Sequence, residues 1–478
     1  MTQSNPQLPT VLIPRQRSVA THRTAAAPAY TYVVPPVAFA PAISDVRCRS
    51  MVSKSSYYFS TYWWKTKNRY AATGIPTITW TTAFDMEITV REACNAAITM
   101  AVCADWGGYL PSAISLNIGD VRNRAARLVV GVARKHVTYG AGGAMWGGNW
   151  QSAYWAYSLG LAAWLLWNRQ LTNAWDREAV GAVLEYEADL QLNRNRPEIW
   201  RDSTGADQPF SGVYRTGIRA GDSAAEEDMW QATVLDLAAT MMPGHPRAAA
   251  WRKKAAQFGI VGAMSRNDLW DTTTDINGDS PNHWTVGAVG KPGYNWSERY
   301  VITNHGKRNP DYMQSDAMRL GMSLHHSLAD EPTPEWVRWN SAKIYGAMRT
   351  VVYPGTVSPA KPMYKDTASP SLYFPDGKDW GTARHTGFWL WDSLVETHIG
   401  TSDAIPVSAT HWDSVHGRAA KAMQDRTGVM PGGQIVLNDD EDRYPGREGW
   451  HAYSAAFVVL NKTLTNAGRL SWTNASLA

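Results

Sequence analysis

The sequence predicts an all-α fold, an (α/α) toroid of about five to six helical hairpins behind a short extended or β-rich N-terminal segment. Three observations predict it. From about residue 84 the apolar residues recur at helical spacing in long amphipathic stretches. Short and long connections alternate between those stretches, and short links between helices make antiparallel hairpins. No fixed-period repeat runs through the chain, which disfavours a solenoid of stacked repeats.

The elements follow in order. Residues 1–50 carry prolines at 6, 9, 14, 28, 35, 36 and 41 and no helical period, which reads as an extended arm. Residues 51–83, with "SSYYFSTYWWKTKNRY" and "IPTITWTTAF", have the composition of a short β-rich ribbon or cap. The toroid then occupies 84–478. Its helices are read at 84–104, 118–138, 149–169, 174–192, 224–242, 246–264, 310–329, 333–350, 380–399, 409–425 and 447–464. Asp120, Pro246, Pro310 and Pro334 supply start signals. The long connections, 139–148, 193–223, 265–309, 351–379 and 426–446, all lead into first helices of hairpins. They therefore collect at one rim, and loops of that length in a compact domain are usually functional.

Composition narrows the chemistry. The 478 residues are 44% hydrophobic, enough for a large core. A net charge of +4 from 46 basic and 42 acidic residues is too balanced for a nucleic-acid footprint. No stretch reaches the roughly 18–20 apolar residues that span a bilayer, so no membrane insertion is expected. No secretory signal is read, because Pro35 and Pro36 interrupt the apolar part of the N-terminal stretch. The three cysteines, Cys48, Cys94 and Cys103, have no zinc-type spacing. Neither a metal nor a cofactor is expected, since no phosphate loop, dinucleotide fingerprint, HExxH or GxSxG elbow occurs. His325–His326 lies mid-helix and reads as structural or solvated. The 24 tryptophans can be core or sugar-stacking faces.

Polar residues gather at the helix starts. "MWGGNWQSAYW" offers Asn149 and Gln151 beside Trp146 and Trp150, although Asn149 also suits a helix N-cap. "GDSAAEEDMWQA" offers Glu226 and Glu227 before Trp230. A helix turns about 100° per residue, so only one of its three successive acids points straight into a central cleft. Glu227 is the first choice and Glu226 the next. "VITNHGKRNPDYMQSD" brings together Asn304, His305 and Tyr312; His305 can act as a base, and Lys307 or Arg308 can favour a Tyr312 phenolate. "YFPDGKDWGTARHTGFW" adds Asp379, Trp380, Arg384 and His385, and "DEDRYPGREGWHAYS" adds Tyr444, Arg447 and Glu448.

The stretches "NWQSAYWAYSLGLAAWLLW", "AEEDMWQATVLDLAATMMPGHPRAAAW", "NHGKRNPDYM", "DWGTARH" and "RYPGREGW" together resemble the helical toroid of secreted bacterial polysaccharide-degrading proteins, the heparinase-like lyases among them. In such lyases an Asn, His or Arg neutralises a uronate carboxylate while Tyr or His removes the C5 proton. The resemblance implies those roles for Asn149, Asn304, His305 and Tyr312. Trp150 departs from it, standing where such sequences tend to place His after Asn, and no second β-sandwich domain is read after the toroid. "PAYTYVVPPVAFAPAI" resembles the leading segment of minor tail proteins of phages infecting actinobacteria. Together they imply a glycan-degrading enzyme, a polysaccharide lyase or glycoside hydrolase, on a virion tail facing outward. Its partners would be host-surface polysaccharide and, through the N-terminal arm, other phage tail proteins. The alternative is a receptor-binding tail protein without catalysis.

Overall fold

The computed structural model describes residues 31–35, 43–66, 78–80, 82–140, 144–171, 173–193, 220–221, 223–265, 267–268, 271, 273–274, 294–295, 299–353, 360–365, 368–400, 408–426 and 432–473. They are mostly helical: α1 (Val46–Tyr57), α2 (Ala83–Asp105), α3 (Ile118–Arg134), α4 (Ser152–Leu165), α5 (Ala174–Leu192), α6 (Ala225–Met241) and α7 (Ala248–Ala263). After these come α8 (Pro310–Met313), α9 (Asp316–Leu320), α10 (Met322–Ala329), α11 (Ser341–Thr350), α12 (His385–His398), α13 (Ala409–Asp425) and α14 (Arg447–Asn466). Strands are two-residue pieces: β1 (Ala220–Gly221) runs parallel to β2 (Tyr294–Asn295), and β3 (Thr303–Asn304) antiparallel to β4 (Lys307–Arg308).

Local sequence places the starts. Thr82, Asn117, Asn173, Asn309 and Ser408 each cap a helix, their side chains accepting a backbone N–H from the first turn. The helix expected over 310–329 is broken into α8, α9 and α10. That expected from 333 begins at Ser341, after a short 3-10 turn at Glu335–Val337. That expected from 380 begins at His385, because the preceding loop is held elsewhere: Asp379 by Tyr312 and Lys307, and Asp376 by Arg308.

The β-rich expectation for 51–83 is overturned over 51–66, while 67–77 and 81 lie outside the described residues. α1 continues as a π-helical turn, Tyr58–Trp63, and a last helical turn, Trp64–Thr66. Aromatic β-propensity loses here to burial, since α1 packs against both α14 and α2, with Met51, Val52, Phe59 and Trp63 in the core. The helix begins at Val46, inside the expected arm, after Asp45 caps it.

α4 and α6 are buried along their whole lengths. α4 carries no charge, as a helix with no solvent face should. α6 carries Glu226, Glu227, Asp228 and Asp236. Buried acids are costly unless partnered, so α6 is the element to question. α6 packs on α4, α5 and α7 and on α9–α10; α12 packs on α9, α13 and α14; α14 packs on α2 and α1; and α2 packs on α3 and α4. Among the described residues no helix is long and apolar enough to cross a membrane.

Candidate active site

α6 opens with Ala224 in the left-handed region (φ 50°), a strained position for a residue with a Cβ. That turn carries Glu226 and Glu227 into the interior. Opposite it, β3 and β4 are joined by a two-residue turn, His305–Gly306, with φ of 53° and 71°. Both angles are positive, as in the type I′ hairpins that match strand twist. Histidine tolerates this region better than most side chains. The hairpin turns His305 inward, to 2% exposure.

His305 Nε2 lies 3.0 Å from Glu227 Oε1, and Asn304 Nδ2 donates to Glu227 Oε2 at 2.9 Å. Asn304 Oδ1 accepts the His305 backbone N–H at 3.0 Å, which fixes the side-chain amide's orientation. The other ring nitrogen, Nδ1, is 2.8 Å from the Tyr312 hydroxyl, which donates to Asp379 Oδ2 at 2.5 Å. Lys307 sits on the second oxygen of Asp379. Glu227, His305, Tyr312 and Asp379 thus form one continuous hydrogen-bonded chain from α6 to the loop before α12, along which protons can move.

A second group lies beside it. Glu226 is buried, and no hydrogen bond reaches it among the described residues. Burial, then the charge of Glu227, holds its carboxyl well above the usual range, against the opposing pull of His305 and Arg384. Burial likewise pushes Asp311 up to about 6, partly offset by Arg384. Arg384 stands 3.6 Å from Asp311 and 3.4 Å from Asp442, over the rings of Tyr444 and Trp450 at 5.1 and 5.2 Å. Asp442 lies at about 2: burial alone would raise it, but Arg384 and His451, the latter 3.0 Å away, outweigh burial. Arg91, wholly buried, donates to the Tyr444 hydroxyl at 2.6 Å and to Gln151.

Several buried polar atoms here lack a hydrogen-bond partner among the described residues: both Asp311 oxygens, Arg384 Nε and Nη2, and the indole nitrogens of Trp230, Trp380 and Trp450. Such orphans are rare in folded proteins, and their concentration beside Glu226 marks a place suited to an oxygen-rich ligand. Trp150, 42% exposed, packs edge-on to Trp230 at 5.3 Å and presents an aromatic face.

Asn304, His305, Tyr312, Glu226, Glu227, Asp379, Arg384, Trp230, Gln151, Trp380 and Tyr444 are therefore drawn together, directly or through Arg91. Others are not. Trp146 is wholly buried and donates to the Val132 carbonyl; it is core. Asn149 accepts from Gly147 N–H and shapes the turn before α4, a turn that Glu187 holds from behind through Gly148 and Ser152. His385 lies against His416, with burial pushing it down to about 3. Arg447 pairs with Asp439 at the surface. Glu448 is buried but accepts the backbone N–H groups of Ile435 and Val436.

Sequence reasoning missed Asp311, Asp442, Arg91 and Trp450. Asp311 reads as an ordinary acid in a first helical turn. Arg91 carries a signal, the one cation of α2, placed in the first half of that helix ahead of its apolar second half. Compared with known protein families, curated proteins and solved structures, the chain matches none of them.

Proposed function

We propose that the chain is a glycan-cleaving enzyme whose helices close into an (α/α) toroid, with the cluster around Glu226 as its reaction centre. The packing order supports the toroid: α2, α4, α6, α9–α10, α12 and α14 succeed one another and α14 meets α2, with α3, α5, α7, α11, α13 and α1 as their second partners. The α1 helix completes the sixth pair.

The observation that carries the reading is the contrast between two buried carboxyls. At neutral pH Glu226 holds a proton beside charged neighbours, while Asp311, at about 6, has lost its own against Arg384. Two carboxyls held in opposite states are what glycoside hydrolysis uses, one as general acid and one as nucleophile or base. Glu226 is the acid that protonates the leaving oxygen. Asp311 is the second carboxylate. The His305–Tyr312 pair orients the sugar hydroxyls and fixes Glu227. Elimination is the poorer fit, since it needs a free group to neutralise a uronate. The charge of Arg384 is already balanced by two aspartates, although donors of its fork stay open to a neutral hydroxyl, and Asn304 is committed to Glu227.

On the resemblance of its N-terminal segment, the substrate is host-surface polysaccharide and the setting a phage tail. The test is to incubate the full chain with such polysaccharide and follow reducing ends and ultraviolet absorbance together. Hydrolysis gives new reducing ends without a new chromophore, abolished by Glu226→Gln. An unsaturated product would replace hydrolysis with elimination. Retention of glycan without cleavage would leave a receptor-binding protein.

A further inference from the structure

Away from this site, α6 and α10 share a second buried cluster. Asp236 Oδ2 is 2.8 Å from His325 Nε2 and 2.8 Å from His326 Nε2, and none of the three is more than 1% exposed. Asp236 stands ten residues beyond Glu226 on α6, about 15 Å along the helix. His326 Nδ1 lies 2.8 Å from Glu331, which also receives Arg252.

The valences of this cluster are incomplete. Glu331 can only accept, so His326 donates to it from Nδ1. In the neutral ring that leaves a lone pair at Nε2 aimed at another acceptor, Asp236 Oδ2. A second proton on the ring, or a cation between them, removes the conflict. Asp236 Oδ1, His325 Nδ1 and the Tyr157 hydroxyl, all buried, have no hydrogen-bond partner among the described residues. Tyr157 stands edge-on to His325, ring centres 6.1 Å apart.

We propose that Asp236, His325 and His326 bind a first-row divalent metal of the zinc class, with Glu331 orienting His326 from behind and Tyr157 beside the remaining position. The donor set is that of three-ligand zinc sites, and a carboxylate on the far nitrogen of a metal-bound histidine is their usual support. Tetrahedral bonds of about 2.0–2.1 Å put donor atoms about 3.3 Å apart, so an ion widens this cluster by about half an ångström. Bound there, it ties α6 to α10 inside the core.

The test uses the full chain, stripped with a chelator and reloaded with Zn2+ or Co2+ alone. Expected are one retained equivalent per chain, a higher melting temperature on loading, and the visible absorption of tetrahedral Co2+. Asp236→Asn should lose the metal. Should that variant not fold, Glu331→Gln, which keeps all three ligands, should weaken binding about 10–100-fold. No retained metal, an unchanged melting temperature and a colourless Co2+ form would overturn the proposal. Glycan cleavage is not among these readouts, so the two proposals fail separately.

Discussion

At the scale of single residues the site rests on two strained backbones. Ala224 and His305 both hold positive φ, and both lie next to the side chains that meet at Glu227. Strain of this kind persists where the surroundings over-determine it, and it concentrates at functional sites. Replacing Tyr312 with Phe removes one hydroxyl from the chain between His305 and Asp379; replacing His305 with Ala breaks it in the middle. Steady-state kinetics should show turnover down about 10²-fold for each, the usual cost of misplacing a bound substrate by about an ångström. Circular dichroism should stay unchanged for Tyr312→Phe. The Glu226 carboxyl makes a separate prediction. Its raised value keeps the acid protonated at neutral pH, so activity should fall on the alkaline side as that proton is lost. Glu227→Gln removes the neighbouring negative charge, which lowers the Glu226 value and moves the alkaline limb to lower pH. A residual pH–rate profile whose alkaline limb stays put, or moves upward, would sink the assignment of Glu226 as acid.

At the scale of elements, α14 shows how a buried acid serves structure. Glu448 sits in its first turn, pushed up to about 8 by burial, with the Ile435 and Val436 N–H groups opposing that shift. Its folded value lies above the unfolded one, about 4.3. Its contribution to stability is therefore complete below about 4.3 and is lost as pH rises through about 8. Chemical denaturation from pH 4 to 9 should show Glu448→Gln losing less stability across this window than the parent chain. Glu448→Ala should cost about 1–3 kcal/mol near pH 4 by orphaning two buried N–H groups, a cost that shrinks as pH rises toward 9. Elsewhere, helix starts were legible wherever Asn, Ser or Thr supplied the cap: α5 and α13 run over the residues that periodicity marks. The α1 stretch was not legible, because its aromatic, β-branched composition carries no helical preference until α14 and α2 cover it.

At the scale of the molecule, the first described segment is a strap. Val33 N–H donates to Met241 carbonyl, Trp164 Nε1 to Val33 carbonyl, and Asn168 to Pro35 carbonyl. Tyr32 packs on Trp167 and against Gly181, where a methyl group would collide with its hydroxyl. The arm read at 1–50 is thus docked over 31–35 and helical from Val46, and its residues 1–30 and 36–42 lie outside the described ones. Removing residues 1–35 should lower the melting temperature by calorimetry, since Trp164 is wholly buried and its indole N–H would lose its partner. An unchanged melting temperature would mean the strap contributes nothing.

What the sequence by itself determined is the helical class, most of the helix positions beyond residue 83 and the polar set at the helix starts. Period, caps and turn residues are local properties, readable within a few residues. His305 before Gly306, and Glu226–Glu227 at the head of an apolar helix, are local signals of that kind. Tertiary structure decided which members of the set meet. Asn149 and Glu448 look as suitable in sequence as Asn304 and Glu227, yet each is consumed by nearby backbone N–H groups. Asp311, Asp442 and Arg91 became site residues through partners 73, 58 and 353 positions away, at Arg384, Arg384 and Tyr444. Burial has the same origin. The proton on Glu226 is held by helices packed around it, and no stretch of sequence shows how dry a carboxyl will be.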